Sequence, residues 1–172
     1  WDGSLDIQIF ASSECVLGEG IYFDEEDRYI YWVDIIKSII YRKNIESSDS
    51  SYEAFSSGAS PSAVLSVSEG IVKFLDKTGI CLLDTKSKKT TSLYKTPYND
   101  AQGYRANDAT VLKDSSILYG TMYQEPNERK CSLYRVSLGC VDELKGLSFN
   151  IPNTFIELEN EILISDSLEQ RV

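Results

Sequence analysis

The sequence contains no histidine, and its cysteines include no C-x-x-C pair. Zinc sites in proteins are built mostly from Cys and His side chains, so a zinc site of that type is excluded. An N-x-[ST] glycosylation motif is also missing. We therefore expect reduced, mostly buried thiols in a cytoplasmic protein, although four cysteines are also compatible with disulfides. The cysteines are Cys15, Cys81, Cys131 and Cys140.

Basic side chains are in short supply, because 17 Lys and Arg stand against 27 Asp and Glu, giving a formal charge of −10. A field of that sign repels phosphate backbones, so nucleic-acid binding is not expected. Long apolar runs are missing too, and no stretch approaches the roughly 20 residues of a membrane-spanning helix. The acidity favours solubility, and it is compatible with a metal cation or a small neutral substrate.

What the chain does contain is a repeat. Segment 28–42, RYIYWVDIIKSIIYR, places Asp34 between two strand-like runs, and the same outline recurs around Asp76, Gly120 and Asp166. These anchors are 42, 44 and 46 residues apart. A period near 44 in a chain without helical periodicity predicts an all-β protein built from four-stranded β-propeller blades. We interpret the three aspartates as structural turn residues that bond neighbouring strands.

The repeat divides the chain into blades within a single partial propeller domain, residues 1–172. The predicted blades span about 15–57, 58–100, 101–148 and, incompletely, 149–172. A short alternating segment at 6–10 precedes the first repeat, and it reads as an isolated strand. We expect this strand to complete the last blade and so to close the ring.

The chain accounts for about three and a half blades, fewer than the roughly 4–8 of closed propellers. A propeller avoids exposed sheet edges by closing its ring, so the remaining blades are expected to come from elsewhere. We favour a fragment whose missing C-terminal half completes the ring. The alternative is a partner chain that supplies the remainder, with the edges of an open half-propeller pairing by strand addition.

Polar residues recur 13 to 15 positions before three of the four anchors, whereas the second blade has only Ser, Pro and Ala there. The start of each innermost strand faces the channel, so equal offsets predict that these side chains converge at one mouth of the channel. A carboxylate together with amide oxygens suits a hard cation such as calcium, which takes about 6–8 oxygen ligands. The candidate residues are Glu19, Arg105, Asn107 and Asn153.

Four motifs occur in a fixed order, namely LGEG at 17–20, IYWVDI at 30–35, RAND at 105–108 and GTM at 120–122. Together they resemble the SMP-30/gluconolactonase/regucalcin family, in a collinear match from about residue 15 to the C-terminus. The resemblance implies a six-bladed propeller that binds one divalent metal in its channel and hydrolyses sugar lactones. Calcium is the expected ion, with zinc, manganese or magnesium as alternatives.

The resemblance also assigns roles to individual residues. Glu19 and Asn153 would be metal ligands, and Arg105, Asn107 and Glu125 would hold substrate hydroxyl groups. The catalytic base of the family is an aspartate in a later blade, so it is expected beyond Val172, the last residue of this sequence. Asp166 does not replace it, because its place in the repeat is the structural one shared with Asp34 and Asp76.

The sequence departs from the family pattern at three positions. Ile21 stands where Pro is usual, Ala109 where Gly is usual, and Thr154 is an uncommon residue after the ligand Asn. These departures bear on the substrate preference more than on the metal.

Simpler interpretations of the same residues remain open. Glu19 is also compatible with a water-exposed turn, and the pair Asn107-Asp108 with a strand-turn cap, because Asx side chains bond their own backbone. Arg105 could pair with a surface acid, and Glu125 lies in a charged insertion where solvated side chains are common. The alternative function is accordingly a non-catalytic calcium-binding or scaffold propeller.

Overall fold

The computed structural model describes residues 8–98, 102–125 and 130–172, and it contains fourteen β-strands in this part of the chain. The described residues include no α-helix, and hence none long and apolar enough to span a membrane. All strands belong to antiparallel sheets, three of four strands and a last one of two. Within each sheet the strands are ordered as along the chain. The predicted all-β array of about three and a half propeller blades is therefore confirmed.

The strand bounds divide the described chain into four consecutive blades. Blade 1 contains β1 (Gly18–Asp24), β2 (Tyr29–Asp34), β3 (Ile39–Asn44) and β4 (Glu53–Ser56). Blade 2 contains β5 (Pro61–Ser68), β6 (Ile71–Asp76), β7 (Gly79–Asp84) and β8 (Lys89–Lys95). Blade 3 contains β9 (Tyr104–Val111), β10 (Ile117–Tyr123), β11 (Leu133–Ser137) and β12 (Cys140–Glu143). Blade 4 contains β13 (Pro152–Glu157) and β14 (Ile162–Asp166).

The first strand of each blade is its inner strand. β1 contacts β5, β5 contacts β9, and β9 contacts β13, so the inner strands of successive blades lie side by side around a common axis. Hydrophobic side chains fill the space between neighbouring blades. Val33 packs with Phe74 between blades 1 and 2, Leu75 with Tyr119 between blades 2 and 3, and Phe155 against blade 3. This arrangement places the starts of all inner strands at one end of the axis.

Three buried aspartates end the second strands and bind the turns that follow. Asp34 accepts hydrogen bonds from the N–H groups two and three residues beyond it, at 3.1 and 3.0 Å. Asp76 does the same at 2.6 and 3.0 Å, and Asp166 at 3.3 and 3.4 Å. A carboxylate that accepts several backbone N–H groups satisfies a tight turn in place of water. The structural interpretation of these three residues is confirmed.

The third anchor was wrong, because the structural equivalent of the three aspartates in blade 3 is Tyr123, not Gly120. In every blade the residue after the second strand donates its N–H to the carbonyl of the residue before the inner strand. The donor–acceptor pairs are Ile35–Leu17 at 3.1 Å, Lys77–Ser60 at 3.1 Å, Gln124–Gly103 at 2.9 Å and Ser167–Ile151 at 3.0 Å. β10 continues for three residues beyond Gly120, and no aspartate marks its end.

The segment before blade 1 lies across the face of that blade which points away from blade 2. Lys43 donates from Nζ to the carbonyl of Phe10 at 2.7 Å, and the Trp32 indole donates to the Ser13 hydroxyl at 3.0 Å. Residues 8–10 are not part of a strand, and residues 6 and 7 of the predicted closing strand lie outside the described residues. The closing role of segment 6–10 remains a prediction.

The thiols are not joined in disulfides. Cys81 and Cys131 are buried, Cys15 is half-buried and Cys140 is exposed. Burial, together with neighbouring Asp76, raises the pKa of Cys81 to about 12, which keeps this thiol protonated and unreactive at neutral pH.

Candidate functional site

Three of the predicted site residues occupy the same place in their blades. Glu19, Arg105 and Asn153 are each the second residue of an inner strand, in β1, β9 and β13. The equivalent residue of blade 2 is Ser62, which is buried and donates its hydroxyl hydrogen to the Leu75 carbonyl at 3.4 Å. Equal register in adjacent, similarly directed inner strands places the first three residues at one end of the channel axis.

A β-bulge follows this register position in each of these strands. Gly20 and Ile21 lie together opposite one residue of β2, Asn107 and Asp108 opposite one residue of β10, and Thr154 is an extra residue in β13. A bulge bends its strand and redirects the nearby side chains, which is why bulges often lie beside binding sites. The sequence reasoning missed the bulges, although Gly20 and the Asn-Asp pair were available signals.

Glycine is required at the bulge of β1. Gly20 has a φ of +59°, and a Cβ atom there would lie 3.0 Å from the carbonyl oxygen of Ser62 in blade 2. A side chain at this position would therefore press against the inner strand of blade 2. This close approach places Glu19, an exposed residue, at the edge of the channel next to blade 2.

Arg105 is half-buried and is held by its own strand. Its Nη1 donates to the Ala106 carbonyl at 2.9 Å and to Oδ1 of Asn107 at 3.2 Å. Burial lowers the pKa of Arg105, while the negative charge of Glu19 acts in the opposite direction. The negative charge of Glu19 in blade 1 thus acts on the guanidinium of Arg105 in blade 3.

The pair Asn107-Asp108 connects blade 3 to blade 4. Asn107 donates from Nδ2 to the Pro152 carbonyl at 3.1 Å. The Asp108 carboxylate accepts the N–H groups of Ala109 at 2.8 Å and of Thr154 at 2.7 Å. Burial raises the pKa of Asp108, and the two backbone donors oppose that shift. The pair is more than a local turn cap, since it reaches the next inner strand.

Asn153 is half-buried and lies between those two contacts. Its Oδ1 accepts the Thr154 N–H at 3.1 Å, and its Nδ2 donates to the Ser167 hydroxyl at 3.2 Å. An amide oxygen has two lone pairs, so Oδ1 retains capacity for one further contact. Its role as a ligand remains a prediction.

Glu125 is exposed and follows the end of β10. That strand end pairs with the start of β9, so Glu125 lies at the same end of its blade as Arg105. Residues 126–129, which follow Glu125 in the sequence, lie outside the described residues. The predicted contact between Glu125 and a substrate remains a prediction.

The position predicted for a catalytic aspartate, beyond Val172, is not among these 172 residues. Val172 itself is exposed and follows the turn after β14. Asp166 is the last aspartate before it, and its two oxygens accept the N–H groups of Asn150 at 2.8 Å and of Ile151 at 3.1 Å. Asp166 is therefore occupied with the backbone of its own blade, and a base beyond Val172 remains a prediction.

The side-chain atoms at this end of the channel that could coordinate a metal ion are oxygens. Within residues 8–98, 102–125 and 130–172 no group of three or more Cys, Asp or Glu side chains is arranged to hold a metal ion. The Glu19 carboxylate and the Asn153 amide oxygen are nevertheless the ligand types that hard divalent cations prefer. These two side chains therefore have the right type of ligand atom for calcium. They supply fewer ligands than the roughly six to eight oxygens that calcium takes.

Glu19 also borders a groove of about 720 Å³. The groove lies on the face of blade 1 that points away from blade 2, and Phe10, Ile21, Ile30 and Trp32 line it. It includes none of the other predicted site residues, so it is not the place where they meet.

Known proteins resemble this chain in sequence and in fold. The chain is 29% identical over 134 residues to YvrE of Bacillus subtilis (strain 168), which is named for a proposed sugar lactone lactonase activity; the match covers 78% of this chain and 45% of YvrE. The fold is similar to a calcium-binding regucalcin from Agrobacterium tumefaciens, with a TM-score of 0.71 and 24% identity over 82% of this chain and 46% of that protein. A gluconolactonase from Xanthomonas campestris gives a TM-score of 0.66 at 16% identity, over 89% of this chain and 55% of that protein.

The chain spans about half the length of these relatives. The two solved structures share too little sequence identity to show more than a common propeller fold. The family match is broader, because the SMP-30/Gluconolactonase/LRE-like region covers residues 17–172. This chain therefore belongs to the SMP-30/gluconolactonase/LRE-like family.

Proposed function

We propose that the protein hydrolyses sugar lactones with the help of a divalent metal ion. The observation that carries the proposal is the shared register of Glu19, Arg105 and Asn153 at one end of the channel. The same strand position carries a carboxylate in blade 1, a guanidinium in blade 3 and an amide in blade 4, which supports a common site. Membership of a family that includes gluconolactonases supports the same activity.

Glu19 and Asn153 would hold the metal through their side-chain oxygens. Calcium is the first choice, because it accepts irregular geometry and mixed carboxylate and amide ligands. A bound divalent ion supplies Lewis-acid chemistry, in that it polarises a lactone carbonyl and stabilises the negative charge that develops on its oxygen. Further oxygen ligands would come from water, substrate or blades beyond these residues.

Arg105 and Asn107 would orient the sugar ring. The guanidinium has five N–H donors and uses Nη1 for its own strand, which leaves donors for hydroxyl oxygens. Asn107 keeps one Nδ2 hydrogen and one Oδ1 lone pair beyond its contacts to Pro152 and Arg105. Glu125, at the same end of blade 3, would bind a further hydroxyl group.

The general base that activates water would lie beyond Val172 or in a partner chain. We do not assign that role to Asp108, because its carboxylate is held between the backbone N–H groups of Ala109 and Thr154. The proposal therefore requires either a C-terminal half or a partner chain to complete the ring. We call this chain together with the blades that close the ring the ring-complete protein.

The test compares the ring-complete protein with residues 1–172 alone, using an aldonolactone substrate and following acid release in weakly buffered solution. We expect hydrolysis by the ring-complete protein that stops on chelation and returns with calcium, and none by residues 1–172 alone. Turnover by the 172-residue chain would contradict the missing base. A ring-complete protein that binds calcium without hydrolysis would instead be a calcium-binding or scaffold propeller.

A further inference from the structure

Two consecutive residues of β9 contact the chain on both sides of Asn153. Asn107 donates to the Pro152 carbonyl at 3.1 Å, and Asp108 accepts the Thr154 N–H at 2.7 Å. The peptide groups that flank Asn153 are therefore both held from blade 3. Few arrangements fix the direction of a side chain more directly than restraining the backbone before and after it.

The Thr154 backbone is in a conformation that Thr rarely adopts. Its φ is +53°, it is the extra residue of the β13 bulge, and its side chain is exposed. The left-handed region is unfavourable for β-branched residues, so the surrounding structure must hold the chain there. Thr154 N–H also lies 3.1 Å from Oδ1 of Asn153, so the bulge and the Asn153 side chain share one hydrogen-bonded unit. Asp108 supplies the other acceptor in that unit.

We propose that Asp108 is a positioning residue, whose carboxylate holds the Thr154 bulge and thereby fixes the direction of the Asn153 side chain. Asp108 acts through Thr154 and does not itself contact the substrate or the metal. The inference rests on the proposed function in one respect, since it takes Asn153 to be a metal ligand. Mutating a group that hydrogen-bonds to a metal ligand and orients it typically weakens metal affinity about 10- to 100-fold.

Asp108→Asn is the variant that tests this proposal, because it keeps the shape of the side chain and offers only one acceptor oxygen for two N–H donors. Asp84→Asn is the matched control. Asp84 also accepts two backbone N–H groups, of Lys86 at 2.8 Å and of Ser87 at 3.2 Å, but at an exposed turn between β7 and β8. A general cost of replacing an aspartate that accepts backbone N–H groups would affect both variants.

The first measurement is made without metal, by NMR on the ring-complete protein. In Asp108→Asn the Thr154 amide proton should move upfield and exchange faster with solvent, and the Asn153 side-chain amide signals should shift. Asp84→Asn should leave these signals in place. Unchanged Thr154 and Asn153 signals in Asp108→Asn would overturn the positioning role, whatever the metal does.

The second measurement is the calcium affinity by titration calorimetry. Asp108→Asn should weaken calcium binding about 10- to 100-fold, and Asp84→Asn should not change it. Adding Thr154→Gly to Asp108→Asn should restore part of the affinity, because glycine adopts a φ of +53° without a side-chain penalty. Equal affinity in Asp108→Asn and the unmutated protein would contradict the proposal.

Two further outcomes are distinguishable. A ring-complete protein that binds no calcium would contradict the proposed metal, while the NMR comparison would still decide the role of Asp108. If Asp108→Asn does not fold, Asp108→Glu takes its place, since it keeps the charge and moves the carboxylate by one methylene. The same shifts at Thr154 and Asn153 and the same loss of affinity are then expected, and their absence overturns the proposal.

Discussion

The Asp34 carboxylate accepts a hydrogen bond of 2.8 Å from the backbone N–H of Val16, which joins the end of β2 to the segment leading into β1. Asp166 makes the equivalent contact in blade 4, with the N–H of Asn150 at 2.8 Å. Both carboxylates are almost completely buried. Each one therefore ties together the entry to an inner strand and the turn that leaves the second strand.

Replacing Asp34 with Asn should destabilise the fold. The amide group can accept at only one of its two ends, so at least one of the N–H groups of Val16, Leu17, Ile36 and Lys37 loses its acceptor. Losing a hydrogen bond to a charged group costs about 1.5–3 kcal/mol. We expect a loss of that size in the free energy of unfolding of the ring-complete protein, measured by urea denaturation. Asp49→Asn, at an exposed turn, is the control and should change it little.

The same aspartates should make the protein acid-sensitive. Burial acts to raise the pKa of Asp34 and Asp166, but the backbone N–H donors outweigh it and lower both values. A depressed pKa means that the stabilisation is fully present above the unfolded value, about 3.9, and is lost as the pH falls through the folded value. Urea midpoints should therefore fall below about pH 4, and Asp34→Asn should fall less steeply over that range. Parallel curves would contradict this assignment.

Calcium should raise the melting temperature of the ring-complete protein, because a ligand that binds only the native state stabilises it by mass action. Glu19→Gln should abolish most of that rise, since it removes the charge at nearly constant shape. Glu25→Gln is the control, because Glu25 is an exposed residue in the β1–β2 turn, at the other end of β1. Scanning calorimetry with and without calcium measures the effect. An unchanged rise in Glu19→Gln would show that Glu19 is not a ligand.

Gly120→Ala should destabilise the contact between blades 3 and 4. A Cβ at this position would overlap the ring of Pro152, with Cβ of Pro152 only 2.9 Å away. Overpacking of this kind typically costs about 1–3 kcal/mol. Adding Pro152→Ala, which keeps the carbonyl used by Asn107, should recover part of the loss. Urea denaturation of the four proteins in this cycle gives the coupling, and strictly additive losses would contradict the predicted overlap.

Much of the fold follows from the sequence because the repeat leaves a regular trace. Three of the four turns carry an aspartate in the same place. Its carboxylate accepts several backbone N–H groups of the turn, and this function requires that residue type. Blade 3 has Tyr123 where the others have Asp, so the glycine three residues earlier was the only visible landmark. The blades could still be predicted, because the pattern of strand-like segments does not depend on the exact position of the anchor residue.

The candidate site was predictable in part. Offsets from the anchors located Glu19 and Asn153, since both inner strands start at a similar distance from an aspartate. Arg105 and Asn107 lay within the same window of offsets only because the anchor was placed at Gly120. The hydrogen bond from Gln124 to Gly103 shows that Arg105 is the residue equivalent to Glu19 and Asn153. The bulges and the contact of Asp108 with Thr154 depend on the approach of two distant strands, which no local pattern records.

The bulges in the inner strands separate two functions of a β-strand, presenting side chains to the channel and packing side chains between the blades. In a regular strand, side chains alternate strictly between faces, so changing what faces the channel disturbs what packs between the blades. The extra residues at Gly20–Ile21, Asn107–Asp108 and Thr154 absorb that coupling locally. Side chains at the channel end can then be substituted while the hydrophobic layers between the blades stay packed. The chemistry of such a ring can therefore change without a change in its core packing.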